Sequence, residues 1–299
     1  MTELAPNLAR RRVAGLPDLG RCAVMGVVNV TPDSFSDGGD YFEPGRAVEH
    51  GLAMLAAGVD YLDVGGESTR PGADRVAAAE ELRRVLPVIA GLARAGAVVS
   101  VDTTRAEVAE QAVAAGARIV NDVSGGQADP AMIPFVSQAR LPYILMHWRG
   151  HSADMNDRAQ YRDVLGEVCG ELGRQLGAAV AGGIDPERIV LDPGFGFAKQ
   201  AAHDWALAAG FERLGALGRP VLAGPSRKRF LGRLLAGPDG APRPAAGRDT
   251  ATLALAAILA ARGAWAVRVH AAAEAVDAVK VAAAATDPRY LAVPGPAGD

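Results

Sequence analysis

From residue 22 almost to the end, short apolar runs rich in β-branched residues alternate with longer stretches of Ala, Leu, Arg and Glu. This alternation restricts the fold more than any other feature of the chain. The runs are Ala23 to Val30, Asp60 to Val64, Val98 to Val101, Ile119 to Asp122, Tyr143 to Met146, Ile189 to Leu191, Val221 to Ala223 and Ala266 to Val269. Strands covered on both faces read as continuous apolar runs, and helical stretches between them make βα units around a parallel sheet. About eight such units is the number that closes a barrel. An open doubly wound sheet fits each strand about as well, but no GxGxxG follows the first strand. The expectation is therefore an α/β fold, a single-domain (β/α)8 barrel of the TIM type.

The joints support it. Ala57-Gly58, Ala95-Gly96, Ala115-Gly116, Gly182-Gly183 and Arg262-Gly263 each end a helical stretch shortly before a strand, where glycine supplies a left-handed cap. Residues 1–20 read as a leader that caps or covers the barrel bottom, 21–288 as the barrel and 289–299 as a flexible C-terminal tail. Gly237 to Gly247 reads as an exposed loop. The stripe Ala254, Ala257, Ile258 and Ala261 could face the barrel or a partner, and periodicity does not separate the two.

Composition excludes some functions. With 31 Lys+Arg against 34 Asp+Glu the chain carries a formal charge of −3, which argues against nucleic acid or an anionic membrane as partner. Cys22 and Cys169 stand far apart without His or Cys company, so neither a disulfide framework nor a thiolate metal site is expected; both read as small buried hydrophobes. Thr250 to Ala261 is too short for a bilayer, which needs about 20 residues. No apolar run follows Arg10-Arg11-Arg12, so the N-terminus does not read as a secretory signal, and a cytoplasmic location is expected.

In such a barrel the chemistry lies at the C-terminal strand ends and in the loops that follow. Those positions hold Asn29, Asp63, Asp102, Asn121 with Asp122, Met146 with His147, Asp192, Ser226 to Lys228, and Arg268 with His270. An Asp or Asn after one strand is often only a helix cap; the same pattern at seven strands is not explained by capping alone. Asp102, Asn121 and Asp192 form an acceptor-rich set suited to the N–H groups of a flat heterocycle. Lys228, Arg268 and Arg70, the last in the loop from Gly65 to Gly72, suit a phosphate or pyrophosphate. Arg268 and His270 alternate on the last strand and share a face. The polar, glycine-ended loop Thr31 to Gly39 reads as a mobile lid or as an irregular surface loop, and His50, His151 and His203 as surface or helix residues. The residues thus describe a barrel enzyme holding a polar heterocycle and an anion, with no thiolate, triad or metal cluster.

Over residues 22–284 these motifs resemble the dihydropteroate synthase family. The blocks are Asn29 to Gly39, Asp63 to Gly72, Ser100-Val101-Asp102-Thr103, Asn121 to Gly126, Leu145-Met146-His147, Leu191 to Phe197, and Ser226-Arg227-Lys228 with Arg268-Val269-His270. The resemblance implies condensation of 6-hydroxymethyl-7,8-dihydropterin pyrophosphate with p-aminobenzoate, assisted by Mg2+, in a homodimer that is a sulfonamide target. It implies that Asp102, Asn121, Met146, Asp192, Lys228 and Arg268 hold the pterin, and that Asn29, Arg70, Arg268 and His270 hold the pyrophosphate, with Asn29 giving an oxygen to the metal. Phe35, Thr69, Pro71, Phe197 and Lys228 would form the p-aminobenzoate side, and Asp37, Arg70 and Lys228 would serve catalysis. Two features depart from the family pattern: Pro225, which removes a backbone donor before Ser226, and the 237–247 insert. Two other readings share part of the pattern. A methyltetrahydrofolate–corrinoid methyltransferase-like barrel would not need the first-loop motif or the pyrophosphate cations, and a catalytically silent pterin-binding paralogue would be expected to lose motif residues that are all present here.

Overall fold

The computed structural model describes residues 12–31, 44–68, 75–150 and 158–292. Eight strands follow one another in the order expected: β1 (Ala23–Asn29), β2 (Tyr61–Gly65), β3 (Val99–Asp102), β4 (Ile119–Asp122), β5 (Tyr143–Met146), β6 (Ile189–Asp192), β7 (Leu222–Ala223) and β8 (Ala266–Val269). The bounds differ from the sequence reading by at most one residue at either end. All pairings are parallel, in the order β6-β5-β4-β3-β2-β1-β8-β7. A bridge between Leu191 and Val221 joins β6 to β7 and closes the ring, which decides against an open sheet. β7 is short for a local reason: Pro220 precedes Val221 and Pro225 follows Gly224, and neither proline can donate to a ladder.

The helices form the outer layer: α1 (Pro44–Ala56), α2 (Ala78–Arg94), α3 (Ala106–Ala114), α4 (Met132–Ala139), α5 (Val164–Ala181), α6 (Ala201–Ala209), α7 (Arg229–Leu234), α8 (Asp249–Ala261) and α9 (Ala272–Thr286). α2 shows how they are held: Val85, Val88, Ile89 and Leu92 recur at helical spacing and are all fully buried, each worth about 1.5–3 kcal/mol of transfer free energy. The five joint glycines, Gly58, Gly96, Gly116, Gly183 and Gly263, all have positive φ, as their position at helix ends requires. On α8 the stripe is split: Ala257 packs against the core whose buried members include Leu255, Ala256 and Leu259, while Ala254, Ile258 and Ala261 face outward. Residues 237–247 are exposed throughout.

Inside the barrel, alternate strand residues stack in layers. The lower layer holds Ala23, Met25, Tyr61, Ile119, Ile144, Val190, Leu222 and Ala266, with Val13 packed among them and Leu16 and Leu19 against them. Residues 12–19 thus lie across the N-terminal end, tied by Ala14 N–H to the Glu187 carbonyl at 2.8 Å and by Arg188 to the Ala14 carbonyl at 3.0 Å. Two steps up each strand, the same alternation turns Asp63, Asn121, Asp192 and Arg268 toward the opposite mouth. Cys22 is buried as expected, but Cys169, on α5 between the fully buried Val168 and Leu172, is only half-buried. No described helix is long and apolar enough to cross a membrane.

Candidate functional site

The residues at the C-terminal mouth are held chiefly by one another. Arg268 on β8 reaches across the barrel: its Nε donates to Asp63 Oδ2 at 2.6 Å and its Nη2 to Asp102 Oδ2 at 2.8 Å. Asn121 Nδ2 donates to the same Asp63 oxygen at 2.9 Å. With its nitrogen committed to Asp63, Asn121 keeps its carbonyl oxygen as an acceptor. Asp63 is fully buried and unites two elements of the site, although the sequence reading gave it no role. Its signals were its place at a strand end and at the head of the block Asp63 to Gly72.

Asp192 ends β6. Its Oδ1 accepts from Gly194 N–H at 2.7 Å, and Gly194 must be glycine: φ is 68°, and a Cβ there would lie 3.0 Å from the His147 carbonyl oxygen. Burial pushes the carboxyl groups of Asp102 and Asp192 up; Arg268 opposes this at Asp102, and the Gly194 N–H with Lys228 opposes it at Asp192. Such groups gain from donors brought by a ligand. Lys228 lies after β7 with its ammonium 4.0 Å from the centre of the Phe197 ring, a cation–π arrangement. Its methylenes run so close to Gly196 that a Cβ there would approach Lys228 Cδ to 2.9 Å. Burial, then the Arg268 charge, lowers the Lys228 ammonium to about 8.

His270 is held by a serine. Ser226 Oγ accepts the His270 backbone N–H at 3.1 Å and lies 2.8 Å from Nδ1. With the hydroxyl donating to Nδ1, the imidazole proton sits on Nε2. Burial and the cations Arg227, Arg268 and Lys228 lower this imidazole to about 3, so His270 is neutral, and in the Nε2–H tautomer it offers an N–H to an anion. Arg268 is a cation already shared by two carboxylates, which fixes its plane at the expense of its free charge. Arg227, at φ 56°, is held by Thr252 at its N–H (3.0 Å), Arg248 at its carbonyl (2.7 Å) and Asp249 at its guanidinium (2.7 Å). This lock turns Ser226 and Lys228 toward the mouth, and Pro225 leaves it intact, since the carbonyl of Pro225 still accepts from Lys228 N–H at 3.3 Å.

Asn29 ends β1, half-buried and paired in register with Gly65, and Met146 ends β5, buried. Phe35, Asp37, Thr69, Arg70 and Pro71, with His151 and most of the first loop, lie outside the described residues. His50 is on exposed α1 surface and His203 caps α6. The base of the second loop is clasped: Arg105 pairs with Glu67 at 2.8 Å and with Glu81, and donates to the Val76 carbonyl at 2.7 Å. Among the described residues no group of three or more His, Cys, Asp or Glu side chains could hold a metal ion.

Comparison with known proteins agrees with this geometry. Residues 25–270 match the family described as pterin binding enzyme. The chain is 56% identical over 262 residues to the dihydropteroate synthase of Mycobacterium leprae, covering 87% of this chain and 92% of that protein. It superposes with a TM-score of 0.82 on the Xanthomonas albilineans dihydropteroate synthase solved with 4-aminobenzoic acid, at 45% identity and covering 92% and 94% of the two chains. For that enzyme in complex with 7,8-dihydropteroate the TM-score is 0.79, at 42% identity, covering 92% and 95%. The closed barrel, the strand-end acceptors and these likenesses place the chain in the pterin binding enzyme family, among its dihydropteroate synthases.

Proposed function

We propose that this chain condenses 6-hydroxymethyl-7,8-dihydropterin pyrophosphate with p-aminobenzoate, giving 7,8-dihydropteroate and pyrophosphate. The observation that carries the reading is the division of one barrel mouth into two chemistries. Asp102, Asn121 and Asp192 present acceptors from the ends of β3, β4 and β6, while Arg268, Lys228 and the neutral imidazole of His270 present donors. The acceptors suit the N–H groups of the amino-pyrimidinone edge, and Met146 and the fixed guanidinium plane of Arg268 suit its faces. Asn29, Arg70, Arg268 and His270 would hold the pyrophosphate.

The C–O bond to pyrophosphate breaks early, leaving a cationic pterin methylene that the aryl amine attacks and from which an amine proton is then lost. The protein supplies electrostatics rather than a covalent nucleophile: donors for the leaving anion, and carboxylates near the developing cation. Mg2+ would add charge neutralisation on the leaving group. The donor set fits such an ion, because a Mg2+ that keeps waters and phosphate oxygens needs little more than the neutral amide oxygen of Asn29. Phe197 and Lys228, with Phe35, Thr69 and Pro71, would form the p-aminobenzoate side, and Asp37 and Arg70 complete the catalytic set that the family motifs imply.

The test is pyrophosphate release by the purified protein with dihydropterin pyrophosphate and Mg2+, with and without p-aminobenzoate, while dihydropteroate is followed by chromatography. Amine-dependent dihydropteroate is the expected result; pterin binding without product would replace the reading by a silent binding protein. Within it, Arg70→Ala is expected to lower turnover by roughly 10²–10³-fold, the scale of one lost transition-state donor. Unchanged turnover would remove Arg70 from the catalytic set.

A pH profile tests Lys228. An amine lowered to about 8 is an ammonium below that pH and neutral above it. kcat/KM, which reports the free enzyme, should therefore fall about tenfold per pH unit above pH 8. The profile of Lys228→Met should be low and flat there; a fall that persists in the variant would assign the ionisation to another group.

A further inference from the structure

One buried cation lies behind the site and touches it only from below, through main-chain carbonyls. Lys199, 8% exposed, extends its ammonium to three acceptors: the Gly194 carbonyl at 3.1 Å, the Phe197 carbonyl at 3.0 Å and His147 Nδ1 at 3.1 Å. An ammonium has three N–H donors, so the group is saturated. The acceptors are not arbitrary. Gly194 and Phe197 begin and end a tight turn, with Phe197 N–H on the Gly194 carbonyl at 3.1 Å. The turn carries an alternation of left-handed residues, Gly194 at φ 68°, Gly196 at 73° and the non-glycine Ala198 at 47°. A left-handed alanine is strained and persists only where its surroundings over-determine it.

The third acceptor leads away from the site. Since His147 Nδ1 accepts from Lys199, its proton is on Nε2, which donates to Glu171 Oε2 at 2.7 Å. Arg149 pairs with the same carboxylate at 2.5 and 2.9 Å and lies 3.8 Å from the Tyr161 ring centre. The turn is thus tied through one ammonium to the end of β5 and on to α5. On its other flank Asp204 accepts Gly196 N–H at 2.7 Å. Burial lowers Lys199 to about 7, against the attraction of Asp204 and Asp192.

We infer that Lys199 is a positioning residue for the amine half of the reaction: by holding the Gly194 and Phe197 carbonyls against His147, it fixes the Phe197 ring and, through it, the ammonium of Lys228. The inference rests on the assignment of Phe197 and Lys228 to the p-aminobenzoate side. It separates two functions of one loop. Asp192 lies at the start of the loop on β6 and is held by its own bond to Gly194 N–H, whereas Phe197 stands where the turn ends and depends on the ammonium beneath it. Removal of Lys199 should therefore disturb the amine side more than the pterin side.

Lys199→Met keeps the length and burial of the side chain and deletes all three donors. It is expected to raise the KM for p-aminobenzoate tenfold or more, with kcat changed less, and to leave the Kd for dihydropterin pyrophosphate, titrated without amine, within threefold of the original. A KM within twofold, or equal changes in KM and pterin Kd, would overturn the proposal. If Lys199→Met does not fold, Lys199→Gln, with two N–H donors, takes its place: a threefold or larger rise in KM at constant pterin Kd supports the proposal, and a KM within twofold overturns it. Phe197→Ala is measured alongside. An unchanged KM in that variant removes the underlying assignment, whereas a raised KM there with an unchanged KM in the Lys199 variant removes Lys199 alone.

Discussion

Asp192→Ala is expected to weaken pterin binding by about 2–5 kcal/mol, the cost of removing a buried, hydrogen-bonded charge partner. The carboxylate is 6% exposed and sits at the end of β6, where its Oδ1 takes the Gly194 N–H. Its removal leaves that N–H unpaired, deprives Lys228 of an attracting charge, and leaves the ring donors of the pterin facing an apolar wall. Titration of the pterin substrate into the variant measures the loss directly. Because neither partner reaches the lower barrel layer, the fold should survive, and thermal unfolding should show a much smaller change than binding. Near-original pterin affinity would exclude Asp192 from the pterin site.

The second large effect is on stability. Arg268→Met removes the guanidinium shared by Asp63, which is fully buried, and Asp102, 9% exposed. Breaking such a pair by deleting one partner costs about 3–5 kcal/mol, because an uncompensated charge stays in the interior. The midpoint of thermal unfolding should fall by roughly 2–4 °C per kcal/mol, and activity should be lost with it. The pH dependence has a definite sign. Asp102 is already raised by burial, and Arg268 is what opposes this; without Arg268 it rises further. A carboxyl whose folded pKa lies above its unfolded value favours the fold at low pH and loses that contribution as pH rises. The deficit of the variant relative to the original protein should therefore be smaller at pH 5 than at pH 8. Adding Asp63→Asn to Arg268→Met should recover part of the stability and none of the activity. A single variant as stable as the original at pH 8 would show that the three-residue cluster is not the lock described.

Much of this was legible in the chain. The apolar runs located all eight strands because a strand covered on both faces must be apolar along its length. The joint glycines were readable because only a residue tolerant of positive φ ends those helices cheaply. The i, i+2 rule of a strand put Arg268 and His270 on one face and brought Asp102, Asn121 and Asp192 to one mouth. What the rule could not supply was partners. Arg268 meets Asp63 and Asp102 across 205 and 166 residues, Ser226 meets His270 across 44, and Lys199 meets His147 across 52. Asp63 was visible as a strand-end residue but had no readable role, and Lys199, in an irregular turn, carried no periodic signal at all.

The partners changed the chemistry. Two residues expected among the anion-binding groups have partners that alter what they offer: Arg268 is a cation shared between two carboxylates, and His270 a neutral imidazole hydrogen-bonded to a serine. Hydropathy periodicity is a local property, set by the 2.0 and 3.6 residue repeats of the backbone, so the sequence alone determined the elements, their order and the mouth at which polar side chains gather. Charge state, tautomer and orientation depend on groups within a few ångströms. Those were decided by the tertiary structure, when closure set β8 beside β1 and let its arginine reach the carboxylates of β2 and β3 across the barrel mouth.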